Sequence, residues 1–171
     1  ESRLNKSNSI GHIKTWDEIS VIINVLKSKN KKIIFTNGCF DILHIGHIKF
    51  LEKAKSFGDV LIVGLNSDLS VKQIKGENRP INNQNDRAHI LASLEVVDYL
   101  VIFNEDTPYN LIKLIQPDIL VKGADYKGKE IAGEDIAKEL KLVDFIEGRS
   151  TSNTIKMIQK INTKNKFIKY V

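Results

Sequence analysis

Two hydrophobic periodicities alternate along this chain, and the alternation restricts the folds open to it. Continuous Ile/Val/Leu-rich runs of strand length occur at residues 33–35, 60–65, 99–103, 119–121 and 142–146. Such runs are typical of parallel strands that are buried on both faces. Segments with helical spacing separate them, such as residues 44–57. The pattern predicts an α/β fold: a Rossmann-like, doubly wound, five-stranded parallel sheet with helices on both faces.

Local signals mark where two of the helices begin. Thr15 and Glu18 have the capping-box spacing, and apolar residues follow them at helical intervals. Pro108 suits the first turn of a helix that precedes the fourth strand. We expect one domain over residues 15–162. The flanking segments are predicted to be an N-terminal linker or tail (1–14) and a C-terminal tail (163–171).

Composition places the chain in a broad class. It has 171 residues, 42% of them hydrophobic, which suits one domain with a proper core. No apolar run approaches the roughly 18 residues that cross a bilayer, and the first residues carry no secretory signal. The lone cysteine, Cys39, fits a reducing compartment. These features predict a cytoplasmic protein that does not enter membranes. Because the chain begins at Glu1 rather than Met, we expect a trimmed chain or a piece of a longer polypeptide.

The net positive charge favours anionic partners but does not show which anion the protein binds. The chain carries 26 basic and 21 acidic residues, a net charge of +5. A solvated basic face is the simplest interpretation of the scattered lysines. Nucleic-acid binding would require a basic stripe with exposed aromatic side chains. Aromatic residues make up 7% of the chain and lie mostly within apolar runs. We therefore predict a small phosphorylated ligand and no nucleic acid.

The residues after the first strand form a candidate phosphate site. The strand runs into a glycine-containing turn at Gly38, and His44, Gly46 and His47 follow at a helix start. Helix N-termini present unpaired N–H groups to anions. Histidines three residues apart share one helix face, so both rings can approach one phosphoryl group. Gly46 leaves room for a nucleotide beside the backbone.

Other interpretations of these residues remain open at this level. The histidines could be one core residue and one surface residue. They could hold a metal ion, although no Cys, Asp or Glu stands at convincing ligand spacing. A thiol enzyme using Cys39 is a further alternative, against the view that Cys39 packs in the turn. Similarly, Ser150, Thr151 and Ser152 could cap the last helix or donate hydrogen bonds to phosphate oxygens.

The histidine segment resembles the T/HxGH nucleotidyltransferase superfamily, which transfers a nucleotidyl group to a phosphate and releases pyrophosphate. Within it, residues 15–162 are most similar to the adenylyltransferases for D-glycero-β-D-manno-heptose 1-phosphate, which occur alone or as half of a bifunctional kinase/adenylyltransferase. The likeness rests on ordered blocks at residues 36–41, 66–68, 75–80, 86–87, 105–108, 120–126, 130–133 and 150–155. Two departures are conservative: Ala124 where the family often has Gly, and Ser152 where it often has Thr.

The resemblance implies a role for each matching residue. The expected catalytic residues are His44, His47 and Lys75. The expected ATP-binding residues are Thr36, Asn37, Gly38, Cys39, Phe40, Gly46, Arg87, Lys122, Gly123, Ser150, Thr151 and Ser152. The expected substrate-binding residues are Asn66, Asp68, Arg79, Asp125 and Tyr126. Mg²⁺ is expected to arrive with ATP and without a direct protein cage, and the partners are ATP, a sugar 1-phosphate and a further copy of the chain in a homo-oligomer.

Two classes of rival function stay open from the sequence, and the first is another transferase of the same superfamily. Cytidylyltransferases for glycerol 3-phosphate share the histidine element and usually carry an Arg-Thr-Glu-Gly-Ile-Ser stretch before the last helix. Residues 145–150 stand there in this chain and begin with Phe145, so the arginine that opens that motif is missing. An adenylyltransferase with another small phosphorylated acceptor is equally compatible with the motif. The second rival is a nucleotide-binding module without catalysis, which would have no need of the histidine pair.

Overall fold

The computed structural model describes residues 9–144 and 150–165. The strands are β1 (Ile33–Gly38), β2 (Val60–Asn66), β3 (Tyr99–Phe103), β4 (Ile119–Gly123) and β5 (Glu139–Val143). The α-helices are α1 (Trp16–Ser28), α2 (Ile45–Lys55), α3 (Asp68–Lys75), α4 (Gln84–Ala92), α5 (Tyr109–Ile115) and α6 (Thr151–Asn165). Short 3-10 helices occupy Ser9–His12 and Ala124–Tyr126. No helix in this described part is both long and apolar enough to span a membrane.

The strands form one parallel sheet in the order β3-β2-β1-β4-β5. The chain moves outward from β1 to β3, then returns across the sheet to build β4 on the other side of β1. Strand order therefore reverses between β1 and β4, where Ile34 pairs with Ile119 and Phe35 with Leu120. The predicted doubly wound, five-stranded fold is confirmed.

Apolar side chains fill both sides of the sheet. On one side, Ile19 of α1 and Ile112 of α5 are fully buried against a cluster that includes Phe35. On the other, Leu51 of α2 and Leu91 of α4 are fully buried. Each fully buried aliphatic side chain contributes about 1.5–3 kcal/mol relative to exposure. The two cores hold the sheet rigid, so the carboxyl ends of its strands form a fixed platform.

The fifth strand lies three residues earlier than its predicted position. The sequence analysis placed it at 142–146, whereas β5 is Glu139–Val143. β5 is an edge strand in which only Val143 is buried, so its side chains show no continuous apolar run. The last two residues of the predicted strand, Phe145 and Ile146, lie outside the described residues.

The ends of the domain make contacts beyond the predicted boundaries. The Thr15 capping box forms as expected, because the Glu18 amide donates to Thr15 Oγ1 at 3.2 Å and the Thr15 amide donates to Glu18 Oε2 at 2.8 Å. Before it, the Lys14 amide donates to the carbonyl of Leu100 at 2.8 Å on the edge strand β3. Residues next to Thr15 thus contact the sheet, and α6 extends past residue 162 to Asn165.

Candidate active site

A cavity of about 460 Å³ opens at the carboxyl edge of the sheet. Asn37 and Gly38 reach it from the end of β1, and Lys122 and Gly123 reach it from the end of β4. The cavity therefore lies where the strand order reverses, which is the place where doubly wound domains bind ligands.

Most of the residues that the sequence analysis selected line this cavity: Thr36, Asn37, Gly38, Cys39, Phe40, His47, Asn66, Lys75, Lys122, Gly123, Tyr126 and Thr151. The lining also includes residues to which the sequence assigned no ligand: Asp41, Phe50, Ile74, Asp106, Thr107, Pro108, Glu130 and Ala132. Predicted residues that lie around the cavity rather than in its lining are His44, Gly46, Asp68, Arg79, Arg87, Asp125, Ser150 and Ser152.

The two histidines form the N-terminal cap of α2. The amide of Gly46 donates to His44 Nδ1 at 3.1 Å, and the amide of His44 donates to His47 Nδ1 at 3.3 Å. The ring centroids are 3.8 Å apart. Because each Nδ1 accepts a backbone hydrogen bond, the neutral rings carry their proton on Nε2. Both side chains are thereby prepared to donate an Nε2–H bond at the helix start.

His47 is kept neutral by its surroundings. Burial, the neighbouring His44 and the charge of Lys75 together lower the pKa of His47 to about 4. At pH 7 the ring is therefore an uncharged hydrogen-bond donor rather than a cation. Positive potential at this point comes from the N-terminus of α2 and from nearby lysine side chains.

The turn before the histidines depends on Gly38. A Cβ atom on Gly38 would lie 2.9 Å from Cε2 of the Phe40 ring. Phe40 has a left-handed φ of 45°, and its ring centroid is 5.5 Å from that of His47. Gly38 thus leaves the space in which Phe40 folds back beside His47, and the conformation fixes one side of the cavity.

Lys122 is the buried cation of the site. Its side chain, with the residue 6% exposed, donates from Nζ to Asn37 Oδ1, and Nζ lies 5.1 Å from the centre of the Tyr126 ring. Burial lowers the pKa of Lys122 to about 8. Nearby, Thr36 Oγ1 donates to the Val121 carbonyl at 2.8 Å. One bond between side chains and one from a side chain to the backbone therefore join β1 and β4 across the cavity floor.

Asp41 holds a neighbouring loop. Its two carboxylate oxygens accept from the amides of Ile81 at 2.7 Å and Asn82 at 2.8 Å. Arg79 Nη1 lies 3.8 Å from Asp41 Oδ2, and Arg79 Nη2 donates to Ser152 Oγ at 3.4 Å. The side chain of Asp41 therefore connects the turn after β1 to the loop at residues 79–82.

Arg87 lies beneath the site. Its fully buried guanidinium donates from Nε to the carbonyl of Asn82 at 2.9 Å and from Nη1 to the carbonyls of Cys39 at 2.6 Å and Asn66 at 2.9 Å. Nη2 donates to Asp68 Oδ1 at 2.9 Å. One side chain thus ties together the turn after β1, the end of β2 and the loop before α4. The expected ATP contact of Arg87 remains a prediction that this geometry does not favour.

The start of α6 faces the histidine turn, and its hydroxyl groups have different partners. Ser150 Oγ accepts from the amide of Asn153 at 3.1 Å, which makes Ser150 the side-chain cap. Thr151 lines the cavity and donates from Oγ1 to the carbonyl of Ile42 at 3.2 Å. Ser152 is exposed and accepts the bond from Arg79. The residues just before Ser150, at 145–149, lie outside the described residues.

The structure also shows the surroundings of the remaining predicted residues, and it bears on the two alternative chemistries, a thiol nucleophile and a metal site. Asn66 Nδ2 donates to Ser70 Oγ at 2.9 Å, and Asp125 is exposed in the 3-10 turn after β4. Burial raises the pKa of the Cys39 thiol, so the protonated form is favoured and a thiolate nucleophile is disfavoured. Among the described residues, no group of three or more His, Cys, Asp or Glu is arranged to hold a metal ion.

The neutral His47, the N-termini of α2 and α6 and the buried Lys122 meet at one cavity at the strand switch point, an arrangement suited to binding a nucleotide through its phosphates. The chain belongs to the cytidylyltransferase-like family, whose model matches residues 35–169. The resemblance drawn from the histidine motif is thereby confirmed, and the chain is an enzyme of the nucleotidyltransferase class.

Curated relatives match nearly the whole chain. It is 67% identical over 159 residues to the bifunctional protein HldE of Aliarcobacter butzleri, which covers 93% of this chain and 33% of that protein. It is 60% identical over 159 residues to the bifunctional protein HldE of Nitratiruptor sp., covering 93% and 34%. The chain thus spans about one third of the length of these relatives.

Solved structures share the fold. A lipopolysaccharide core biosynthesis protein from Thermoplasma volcanium is 30% identical, with a TM-score of 0.57 over 70% of this chain and 99% of that chain. A pantoate-beta-alanine ligase from Francisella tularensis, determined with a bound ATP compound and beta-alanine, has a TM-score of 0.58 over 86% of this chain and 78% of that chain. At 22% identity this second likeness concerns the fold alone.

Proposed function

We propose that the chain transfers AMP from ATP to D-glycero-β-D-manno-heptose 1-phosphate and releases pyrophosphate, forming ADP-heptose. The observation that carries the proposal is the single cavity that His47, Lys122 and Thr151 share at the strand switch point. The acceptor is inferred from the ordered sequence blocks that resemble heptose 1-phosphate adenylyltransferases. Relatives named HldE and a lipopolysaccharide core biosynthesis protein support the same assignment.

The proposed reaction needs no covalent intermediate on the enzyme. The phosphate oxygen of the acceptor is already an anion, so it attacks the α-phosphorus of ATP in line as pyrophosphate leaves. The protein's contribution is then the placement of the substrates and the stabilisation of charge on the transferring group. The Nε2–H groups of His44 and His47 are assigned as donors to the α-phosphate and its bridging oxygen. Their backbone-held Nδ1 atoms fix the donor tautomer before substrate binds.

Cationic and hydroxyl groups around the histidines are assigned to the other phosphate oxygens. Lys75 is the last residue of α3, and it lines the same cavity as Lys122 of β4. Thr151 supplies a hydroxyl at the N-terminus of α6, where anions are stabilised by free amides. These groups surround the place where three negatively charged phosphates of ATP and one of the acceptor must meet.

Mg²⁺ is proposed to enter with ATP. We expect its ligands to be mainly phosphate oxygens and water, since the described residues include no group of three or more His, Cys, Asp or Glu arranged to hold a metal ion. When bound to phosphate oxygens, the ion would neutralise charge that develops on the leaving pyrophosphate.

Pyrophosphate release tests the proposal most directly. ATP or CTP is combined in turn with heptose 1-phosphate, glycerol 3-phosphate and phosphoethanolamine. We expect release with ATP and heptose 1-phosphate. Release with CTP alone would instead assign a cytidylyl donor, and ATP binding without release from any acceptor would indicate a non-catalytic nucleotide-binding module. The expected homo-oligomer is a separate proposal, which sedimentation of the full chain tests.

We expect Thr151→Ala to weaken ATP binding by about 1–3 kcal/mol, because the Thr151 hydroxyl, which donates to the Ile42 carbonyl in this structure, would turn to a charged phosphate oxygen when ATP binds. Equilibrium titration with ATP measures this change. The melting temperature of the same variant should change little, since Ser150 and not Thr151 caps α6.

Ser150→Ala is the matched control at the preceding residue. It should cost about 1 kcal/mol of stability and leave ATP affinity unchanged, as expected for the loss of a helix cap. If Thr151→Ala lowers stability while ATP binds normally, Thr151 has only a structural role and the histidine turn is the sole supported phosphate site.

The depressed pKa of Lys122 predicts an alkaline limit to activity. The ammonium form is lost as pH rises through about 8, so kcat/KM, which reports the free enzyme, should fall above that pH. A Lys122→Met variant should have low kcat/KM at pH 7 and should lack this alkaline limb. Rate profiles from pH 6 to 10 measure both. An identical limb in wild type and Lys122→Met would assign the titration to another group.

A further inference from the structure

The ammonium group of Lys122 is held by the side chain of Asn37 on the neighbouring strand, where Lys122 Nζ donates a hydrogen bond to Asn37 Oδ1. The strands β1 and β4 pair at Phe35 and Leu120, and Asn37 and Lys122 lie two residues further along them. Side chains two residues apart in a strand point to the same face, so both project to the face on which Phe35 and Leu120 are buried. The contact therefore follows from the register of the sheet.

The hydrogen bond fixes which way the Asn37 amide points. An ammonium group only donates, so Lys122 must face the carbonyl oxygen Oδ1 and not the NH2 group. Asn37 lines the active-site cavity, and its Nδ2 makes no hydrogen bond to another described residue. Two functions are therefore open to Asn37: it can place Lys122, or it can donate from Nδ2 directly to ATP, as expected from the family resemblance.

The surroundings of the pair favour the first function. Asn37 pairs with Gly64 of β2, and a Cβ atom on Gly64 would lie 3.3 Å from the Cβ of Asn37, so the asparagine is closely packed on that side. Lys122 has a flexible stem, and its charge is placed between Asn37 Oδ1 and the face of the Tyr126 ring. Without Asn37 Oδ1, this buried ammonium would lose its hydrogen-bond acceptor, so its position depends on Asn37.

We propose that Asn37 is a positioning residue, which holds the Lys122 ammonium at the cavity and affects ATP binding and turnover only through Lys122. This inference rests on the proposed function and deepens it, because Lys122 is assigned there to phosphate oxygens. An ammonium group has three donors, and Asn37 Oδ1 is the one acceptor bonded to Lys122 among the described residues. The bond to Asn37 thereby sets the direction of the donors that remain for phosphate.

A double-mutant cycle on Asn37→Ala and Lys122→Met tests the inference, with kcat/KM and the Kd for ATP measured at pH 7. We expect Asn37→Ala to weaken ATP binding and to lower kcat/KM by about 10-fold or more in the wild-type background, the scale of one hydrogen bond to a charged group. In the Lys122→Met background the same change should have little effect, because the group that Asn37 places is gone. Equal losses in both backgrounds would show that Asn37 contacts ATP directly, and would overturn the inference.

The titration of Lys122 gives a second readout, which needs neither an acceptor nor turnover. The NMR signal of the Lys122 side chain, assigned by its loss in Lys122→Met, is followed from pH 6 to 10. In Asn37→Ala the ammonium loses a partner, so the pKa of Lys122 should fall below its wild-type value, whereas the carboxylate of Asn37→Asp should raise it. Asn85→Asp, at an exposed residue of α4 outside the cavity lining, is the matched control and should leave the titration unchanged.

The other titratable groups near Lys122 are the same in these variants. Negative charge on Asp125 or Cys39 would raise the pKa of Lys122, and Lys129 Nζ lies 5.7 Å from the centre of the same Tyr126 ring. Burial raises the pKa of the Cys39 thiol and of the Tyr126 hydroxyl, so both stay largely protonated near pH 8. A difference between the two Asn37 variants therefore arises from residue 37 itself.

The outcomes separate this inference from the proposed function. If no acceptor releases pyrophosphate, the proposed function is wrong, while the Lys122 titration and the ATP affinities still decide the role of Asn37. If wild type is active but Lys122 titrates alike in wild type, Asn37→Ala and Asn37→Asp, the inference is wrong and the proposed function stands. Because aspartate and asparagine have the same shape, Asn37→Asp decides the matter even if Asn37→Ala fails to fold.

Discussion

We expect His47→Ala to lower kcat by on the order of 10²-fold or more, which is the scale of removing a donor that stabilises charge in a transition state. His47 lines the cavity, and its Nδ1 accepts the backbone amide of His44, so its Nε2–H is the free donor. ATP binding should change much less, because lysine side chains and helix N-termini also contact the phosphates in the proposed complex. Steady-state rates and ATP titration on one preparation measure both quantities.

His89→Ala provides the matched control, because His89 is an exposed histidine on α4 that does not line the active-site cavity. It should retain wild-type turnover. His44→Ala is expected to lose turnover and also about 1 kcal/mol of stability, since His44 Nδ1 caps α2 by accepting the Gly46 amide. Full turnover by a folded His47→Ala protein would contradict the assignment of His47 as a catalytic donor.

The central sheet could be predicted because its signals are local. β2 is buried at every position, and β1 begins with buried residues, so both stand out as continuous apolar runs. The edge strand β5 has no such run, and its position was wrong by three residues. Its start is set by pairing with β4, where Glu139 aligns with Ile119. That pairing is a tertiary contact, which single-sequence periodicity does not contain.

The helices α3 and α4 were not predicted for a related reason. α3 buries little apolar surface beyond Val71, and α4 contains a buried arginine where a core residue would be expected. Their visible signals were the caps: Ser67 Oγ accepts from the Ser70 amide at 3.2 Å, and Asn83 Oδ1 accepts from the Asp86 amide at 2.9 Å. Ser and Asn are favoured at such positions, so a search for caps could have found both helices.

The parts of the site that could be predicted are again those with local sequence signals. The histidine turn and the start of α6 are short motifs, and the structure brings both to one cavity. Asp106 and Glu130 were not selected as lining residues because they come from separate loops that meet only when β3 and β4 flank the inner strands. Arg87 was predicted to lie near the site, and it does. An arginine that contacts phosphate and an arginine that supports the surrounding loops look the same in a sequence, so its role could not be predicted.

Arg87→Met is expected to produce the largest loss of stability, about 3–5 kcal/mol, the usual cost of breaking a buried charged network. The carbonyls of Cys39, Asn66 and Asn82 would each lose a buried donor, and unsatisfied buried acceptors cost about 1–3 kcal/mol apiece. Urea unfolding measures the change. Asn85→Ala, at an exposed position of the same helix, should stay within about 0.5 kcal/mol of wild type.

Arg87→Lys separates charge from geometry at this position. Lysine keeps the positive charge but cannot reproduce four bonds that diverge from one planar guanidinium, so we expect it to be destabilised nearly as much as the methionine variant. A direct ATP contact would give the opposite pattern: Arg87→Met would fold with almost normal stability and lose ATP affinity, and Arg87→Lys would recover much of that affinity. Because the guanidinium is fully buried and bonded to acceptors from three segments, loss of stability in both variants is the expected result.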